Sequence, residues 1–324
     1  MSRTTTQCLL AASAAMAAYC APASVEGQGT AGAARAWVSG HGTDRAGCGS
    51  PTAPCRSLQY VHDNVVGDGG EIDILDPAGY GAVSITKAVS IVNDGVGTAC
   101  VQATSGNAIT INAGPSASVF LRGLNVDGVG AAGVNGIAFK GGAGFTVVNC
   151  VVRHFAQEGI VIQPPSGPVT FLIQDTIASD NNDAGILLGG NAWTSTAAIS
   201  GIIARATVMN NKHGVYFDDH GDIVSNDNTG ARVVIDDTDV SNNTQTGISL
   251  IGSLFVEVHG DLVVRNGESG LSLAPASHGV ISRSMIIMNG LGTGFDIVNG
   301  GVLQSTGDNQ YLEISGATSG WPLQ

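Results

Sequence analysis

Three residues of this chain have the types and spacing of an acid/base set: Glu158, Asp183 and His213. Glu158 and His213 each stand directly before a glycine, and Asp183 stands two residues before Gly185. Lys212 and Glu268 hold comparable places. If these glycines mark successive strands of one sheet, the side chains form a row with steps of ~4.8 Å. Two carboxylates at that spacing repel, which raises the proton affinity of one. A proton donor beside a base is suited to cleavage of a glycosidic bond. A solvated polar turn is the plainer reading of the same row.

A second group follows closely. Asp218, Asp219 and Asp222 place three carboxylates in five residues. Such a loop could hold Ca²⁺ through oxygen ligands; the plainer reading is an ordinary acidic loop. Asp236, Asp237 and Asp239 could join it from the next coil. Tyr216 shares strand parity with Asp218, so both are expected to face outward, the ring stacking on a sugar. Lys212 and Asp296 are the other expected substrate contacts. Arg205 and Arg232 read as ion-pair residues. No serine elbow, phosphate loop or zinc motif is present.

These residues need a scaffold that repeats. Seven units of glycine plus short strand run from Gly136-Ile137-Ala138-Phe139, through Gly159, Gly185, Gly214, Gly247 and Gly270, to Gly294-Phe295-Asp296-Ile297. One strand per 20–35 residues is the mark of a solenoid. Side chains alternate across a strand. Ile160, Ile186, Val215, Ile248 and Leu271 are therefore expected in one inward column. Val161, Leu187, Tyr216, Ser249, Ser272 and Asp296 are expected on the outer face. Further apolar runs, such as Phe145–Val148 and Val151-Val152, supply two more strands per repeat. Asn181, Asn210, Asn243 and Asn266 stand four residues before a glycine, and Asn289 five before, and should stack as an amide ladder.

Composition agrees. Of 324 residues, 43% are hydrophobic, 12% are charged and 47 are Gly. That fits an all-β chain rich in turns and excludes disorder. Arg3, the apolar run Cys8–Ala18 and Ala21-Pro22-Ala23 read as a signal peptide over residues 1–23. Residues 24–36 read as a linker, and residues 37–324 as the solenoid with a cap over about 37–70. The protein is expected to be secreted or periplasmic. A net charge of −13 argues against nucleic acid and anionic membrane as partners. No membrane insertion is expected, and the chain should be a monomer. In an exported protein Cys48 and Cys55 should form a disulfide, leaving Cys100 and Cys150 as a conjectural second pair.

The Asn-x-x-x-Gly-Ile-x-Leu coils resemble the pectin-lyase-like right-handed parallel β-helix superfamily. The segments Trp37-Val38-Ser39, Thr52–Leu58 and Glu71–Leu75 are similar to the opening of secreted members. The resemblance implies an all-β, right-handed, single-stranded solenoid with a short capping helix, placed here at Ser57–Val66. Polygalacturonase-like relatives carry an acid before a Gly-Ile strand and a His-Gly on a later coil. Asn182-Asp183-Ala184-Gly185 and His213-Gly214 match that loosely. The Arg-x-Lys and the adjacent Asp pair of those relatives are absent.

Two functions follow. One is an exported protein that binds or processes polysaccharide in a groove, as a lyase or hydrolase, with Ca²⁺ as the one cofactor suggested. The other is a noncatalytic, adhesin-like β-helix, favoured by an aromatic content of 5%.

Overall fold

The computed structural model describes residues 32–190, 195, 197–218, 231–290, 294–298 and 300–311, and the backbone of Ile314–Gly316. Within them the chain winds through three parallel sheets of 11, 10 and 10 strands. One coil passes from the first sheet (as at Phe255–His259) through a tight turn to the second (Leu262–Val264). An asparagine turn then leads to the third (Leu271–Leu273), and the next coil begins. This is a right-handed parallel β-helix.

Regular side-chain columns hold the coils in register. Ile137, Ile160, Ile186, Val215, Ile248, Leu271 and Phe295 are successive neighbours in the third sheet. The five residues expected in this inward column are all fully buried. Each strand buries at most four apolar side chains, so stability comes from the stack rather than from any one coil. Phe139, Phe145 and Phe171 stack through the core at centroid distances of 4.7 and 5.9 Å.

The asparagine ladder is Asn181–Asn211–Asn243–Asn266–Asn289. Each backbone N–H from Asn181 to Asn266 donates to the side-chain oxygen of the next asparagine at 3.0–3.1 Å. Asn211 therefore takes the place expected of Asn210. The residue before each rung adopts a left-handed φ: Asp180, Asn210, Asn242, Arg265 and Met288. Asn210 is that left-handed residue and binds Asp180 at 3.1 Å. The repeated glycine has a steric cause. A Cβ on Gly214 would lie 2.4 Å from the Gly247 carbonyl and 2.9 Å from the Asn243 amide.

The capping helix runs Leu58–Asn64, with the Ser57 side chain accepting from the Tyr60 N–H. It buries Leu58, Val61 and His62 over the open end of the first coil, where bare strands would invite pairing. The first strand is Ala33–Val38, so the segment expected as linker is strand from Ala33 onward. The signal-peptide segment lies outside the described residues. Cys48 and Cys55 form the expected disulfide, with Cα atoms 5.0 Å apart. Cys100 and Cys150 do not pair: Cys100 is half-buried on the second sheet, and Cys150 is buried in the turn after the first. Among the described residues, no helix is long and apolar enough to cross a membrane.

Candidate functional site

Two adjacent rows run along the asparagine-turn edge of the third sheet. Backbone N–H groups link Gln157, Asp183, Lys212, Gln245 and Glu268, each to the carbonyl before it. One residue further along lie Asn135, Glu158, Ala184, His213, Thr246 and Ser269, the positions before each glycine. Asp183 is thus offset by one residue from the row holding Glu158 and His213. The reason is local: Ala184, not Asp183, precedes Gly185. Glu158 and His213 stand on either side of Ala184, two strand steps or ~10 Å apart along the backbone. Ala184 between them is buried, with Asp183 at its flank.

Hydrogen bonds fix the backbone here. The Glu158 N–H donates to Asn135 Oδ1 at 3.1 Å. The Asp183 carbonyl accepts from both Lys212 and His213 N–H, at 2.9 and 3.3 Å. Lys212 Nζ lies 3.4 Å from Asp183 Oδ1. The His213 ring stacks on Tyr216 with centroids 4.8 Å apart and planes 16° apart. His213 Nδ1 is buried and makes no hydrogen bond.

Burial sets the proton affinities. Desolvation, helped by the nearby Asp183 charge, raises the Glu158 carboxyl above its ordinary value. Desolvation lowers the His213 imidazole, against the pull of Asp183. The Tyr216 phenol is raised by burial, then by Asp218 and Asp183. Lys140 also reaches Glu158 electrostatically; its Nζ donates to Gln163 Oε1 at 3.1 Å.

The sequence reading passed over Lys140, yet a signal for it existed. The chain has three lysines, Lys87, Lys140 and Lys212. Lys87 is engaged by the carbonyls of His62 and Val66. The other two lie beside the acid row.

Other expected site residues fall elsewhere. Asp296 shares the Tyr216 column but lies three strands further on, ~14 Å away. Asp218 ends the Tyr216 strand opposite Gly189 and is 3% exposed, so it does not line an open loop. Asp219 and Asp222 lie outside the described residues. Asp236 closes a first-sheet strand, Asp237 is in the following turn and Asp239 opens a second-sheet strand. None is on the sheet that carries Asp218. Arg205 pairs with Asp175 as expected, at 2.8 Å. The outer-face residues Val161 and Leu187 are buried rather than open, forming a small apolar cluster with Ala138 and Ala184 against Tyr216.

Among the described residues, the one set of potential metal ligands close together is Asp44, Cys48 and Cys55. Its cysteines are already joined to each other. A groove of about 420 Å³ lies on the first sheet, between Ile202, Arg232, Val234, Phe255 and Glu257. It is lined by other residues than the acid row, and mostly by apolar ones.

No family model matches the chain, and no curated protein matches it. Among solved structures it is similar to a pectate lyase, at a TM-score of 0.47 and 13% identity over 84% of this chain and 70% of that one. An alginate lyase from Paenibacillus sp. gives 0.44 and 13%, over 78% and 94%. The A-module of a mannuronan C-5 epimerase from Azotobacter vinelandii gives 0.41 and 12%, over 86% and 88%. The parallel β-helix itself is given by the three-sheet coil of this chain.

Proposed function

We propose that this β-helix binds polysaccharide across the outer face of its third sheet and cleaves a glycosidic bond there by acid/base chemistry. The observation that carries this reading is the pair Glu158 and His213, standing either side of Ala184 with burial acting oppositely on their charges. Burial favours a protonated Glu158 and a neutral His213. One is then a proton donor and the other a proton acceptor, as cleavage requires. Asp183, held beside Lys212, keeps negative charge next to both. Glu158 protonates the departing glycosidic oxygen, and His213 removes a proton from substrate or from water. Lys140 and Lys212 flank the row and suit a substrate bearing carboxylates. This qualifies the argument from net charge, because local cations lie where the acid row would otherwise repel such a chain. The disulfide Cys48–Cys55 supports export to an oxidising compartment.

The test is a screen of acidic and neutral polysaccharides, with and without Ca²⁺, following new reducing ends and unsaturated products. Affinity electrophoresis on the same panel follows binding. Cleavage that falls at least 100-fold in Glu158→Gln supports the reading. Binding without turnover identifies a noncatalytic module instead. Neither binding nor turnover on any polysaccharide removes the proposal.

A further inference from the structure

A second ladder lies between the first and second sheets; its Ala206 rung carries no polar side chain, and its Asp261 rung carries one of the wrong chemistry. Cys150, Thr176, Thr238, Ser284 and Asn309 occupy equivalent places, and each does two things. Each accepts a hydrogen bond from a backbone N–H one coil earlier: those of Leu124, Cys150, Ala206, Asp261 and Ser284. Each also donates to a backbone carbonyl: those of Val148, Gln174, Asp236, Ser282 and Ile281. Cys150 fits this role as a thiol, since burial pushes its pKa up to about 11. Asp261 occupies the rung between Thr238 and Ser284. Its Oδ1 accepts from the Thr238 N–H, but its Oδ2 is buried without a partner. The residue is 2% exposed. A carboxylate cannot donate; a carboxylic acid can.

We propose that Asp261 serves in this ladder as a protonated acid, so that losing one proton to solvent loosens the coils on either side. The surroundings favour the neutral form. Burial is the largest influence, and the charges of Asp236 and Asp237 on the preceding coil add to it. The Thr238 N–H and the His259 backbone oppose them, and the carboxyl sits at about 7. The nearby cations are engaged elsewhere. Arg205 is bound to Asp175, and Arg283 is bound to the His259 ring, whose Nδ1 in turn contacts Ser282 Oγ. Asp308 holds the Arg283 backbone N–H.

The test compares thermal melts of the full chain at pH 5 and pH 8 for wild type and Asp261→Asn. Asn309 already fills an equivalent rung, so the amide suits the site and supplies a permanent donor. Wild type should lose several degrees of Tm between pH 5 and 8 relative to the variant, with the two similar at pH 5. Infrared difference spectra of wild type between these pH values should show a protonated-carboxyl band that Asp261→Asn lacks. Parallel pH profiles, or no such band in wild type, would overturn the proposal. Taken in a Glu158→Gln background, where the raised Glu158 carboxyl adds no band, the infrared measurement stands even if Asp261→Asn does not fold.

Discussion

At the scale of single residues, Glu158 and His213 make a pH argument. Glu158 is raised from 4.5 and His213 lowered from 6.5, both first by burial. The competent pair is protonated Glu158 with neutral His213. The acid limb of kcat/KM then reports protonation of His213, and the alkaline limb reports loss of the Glu158 proton. The maximum should fall between those two ordinary values, in mildly acidic buffer. A profile still rising at pH 8 would assign the work to other groups. Glu158 and His213 were legible in the sequence because each stands next to a repeated glycine. Their placement relative to Asp183 was not, since Ala184 displaces Asp183 by one residue. Burial of Val161, Leu187 and Asp218 was also hidden, because strand parity gives direction and not cover.

At the scale of the element, the asparagine turn decides register. Asn211 supplies an oxygen to the Asn181 N–H, and its amide reaches Ala178 O and Asn243 Oδ1. Asn211→Ala should cost about 3 kcal/mol, because it strands a buried donor as well as losing bonds. Asn210→Gly should be nearly neutral, because Asn210 is exposed and its φ of 58° is one that glycine adopts freely. Urea titration of the two variants tests the assignment; equal losses would contradict it. Spacing alone favoured Asn210, because three coils place the rung four residues before glycine and this coil uses three. The ladder was readable from sequence, but this one-residue shortening was not.

The inward column is more tolerant of variation in loop length but not of charge. Ile186 is fully buried between Ile160 and Val215. Ile186→Asp should cost several kcal/mol and abolish cooperative folding, seen as loss of the β-sheet circular dichroism band. The alternation of apolar residues made this column plain in the sequence. The earlier coils, from Val66 to Asp127, lack the full Asn-x-x-x-Gly-Ile-x-Leu signal, since Asn93-x-x-x-Gly97 is followed by Thr98-Ala99-Cys100, and there the solenoid was harder to see.

At the scale of the whole molecule, acid response divides into two windows. Asp44, Asp63, Asp76, Asp127 and Asp175 all have lowered proton affinities: burial, the largest single influence on the first four, raises them, but hydrogen bonds to the charged form and neighbouring cations together outweigh it. A lowered carboxyl contributes stability above its unfolded value that is lost as pH falls through the folded one. These groups should therefore weaken the fold below about pH 4. Asp261 acts oppositely. Its folded value exceeds the unfolded 3.8, so its contribution is complete below 3.8 and declines as pH rises toward 7. His213, lowered, adds stability with rising pH up to 6.5. Maximum Tm is expected in the mildly acidic range, and a melt series from pH 3 to 9 would check it. A maximum above pH 8 would contradict the balance.

The scarcity of lysine has a practical consequence. Of three side-chain amines, Lys87 is tied to two carbonyls, while exposed Lys140 and Lys212 flank the acid row. Once the α-amine is blocked, an amine-reactive probe, used on most proteins as an indiscriminate label, should act here as a footprint of one face. Coupling to a succinimidyl resin would orient the molecules with that face against the matrix. Fluorophores attached this way would report on, and obstruct, the surface where we place the substrate.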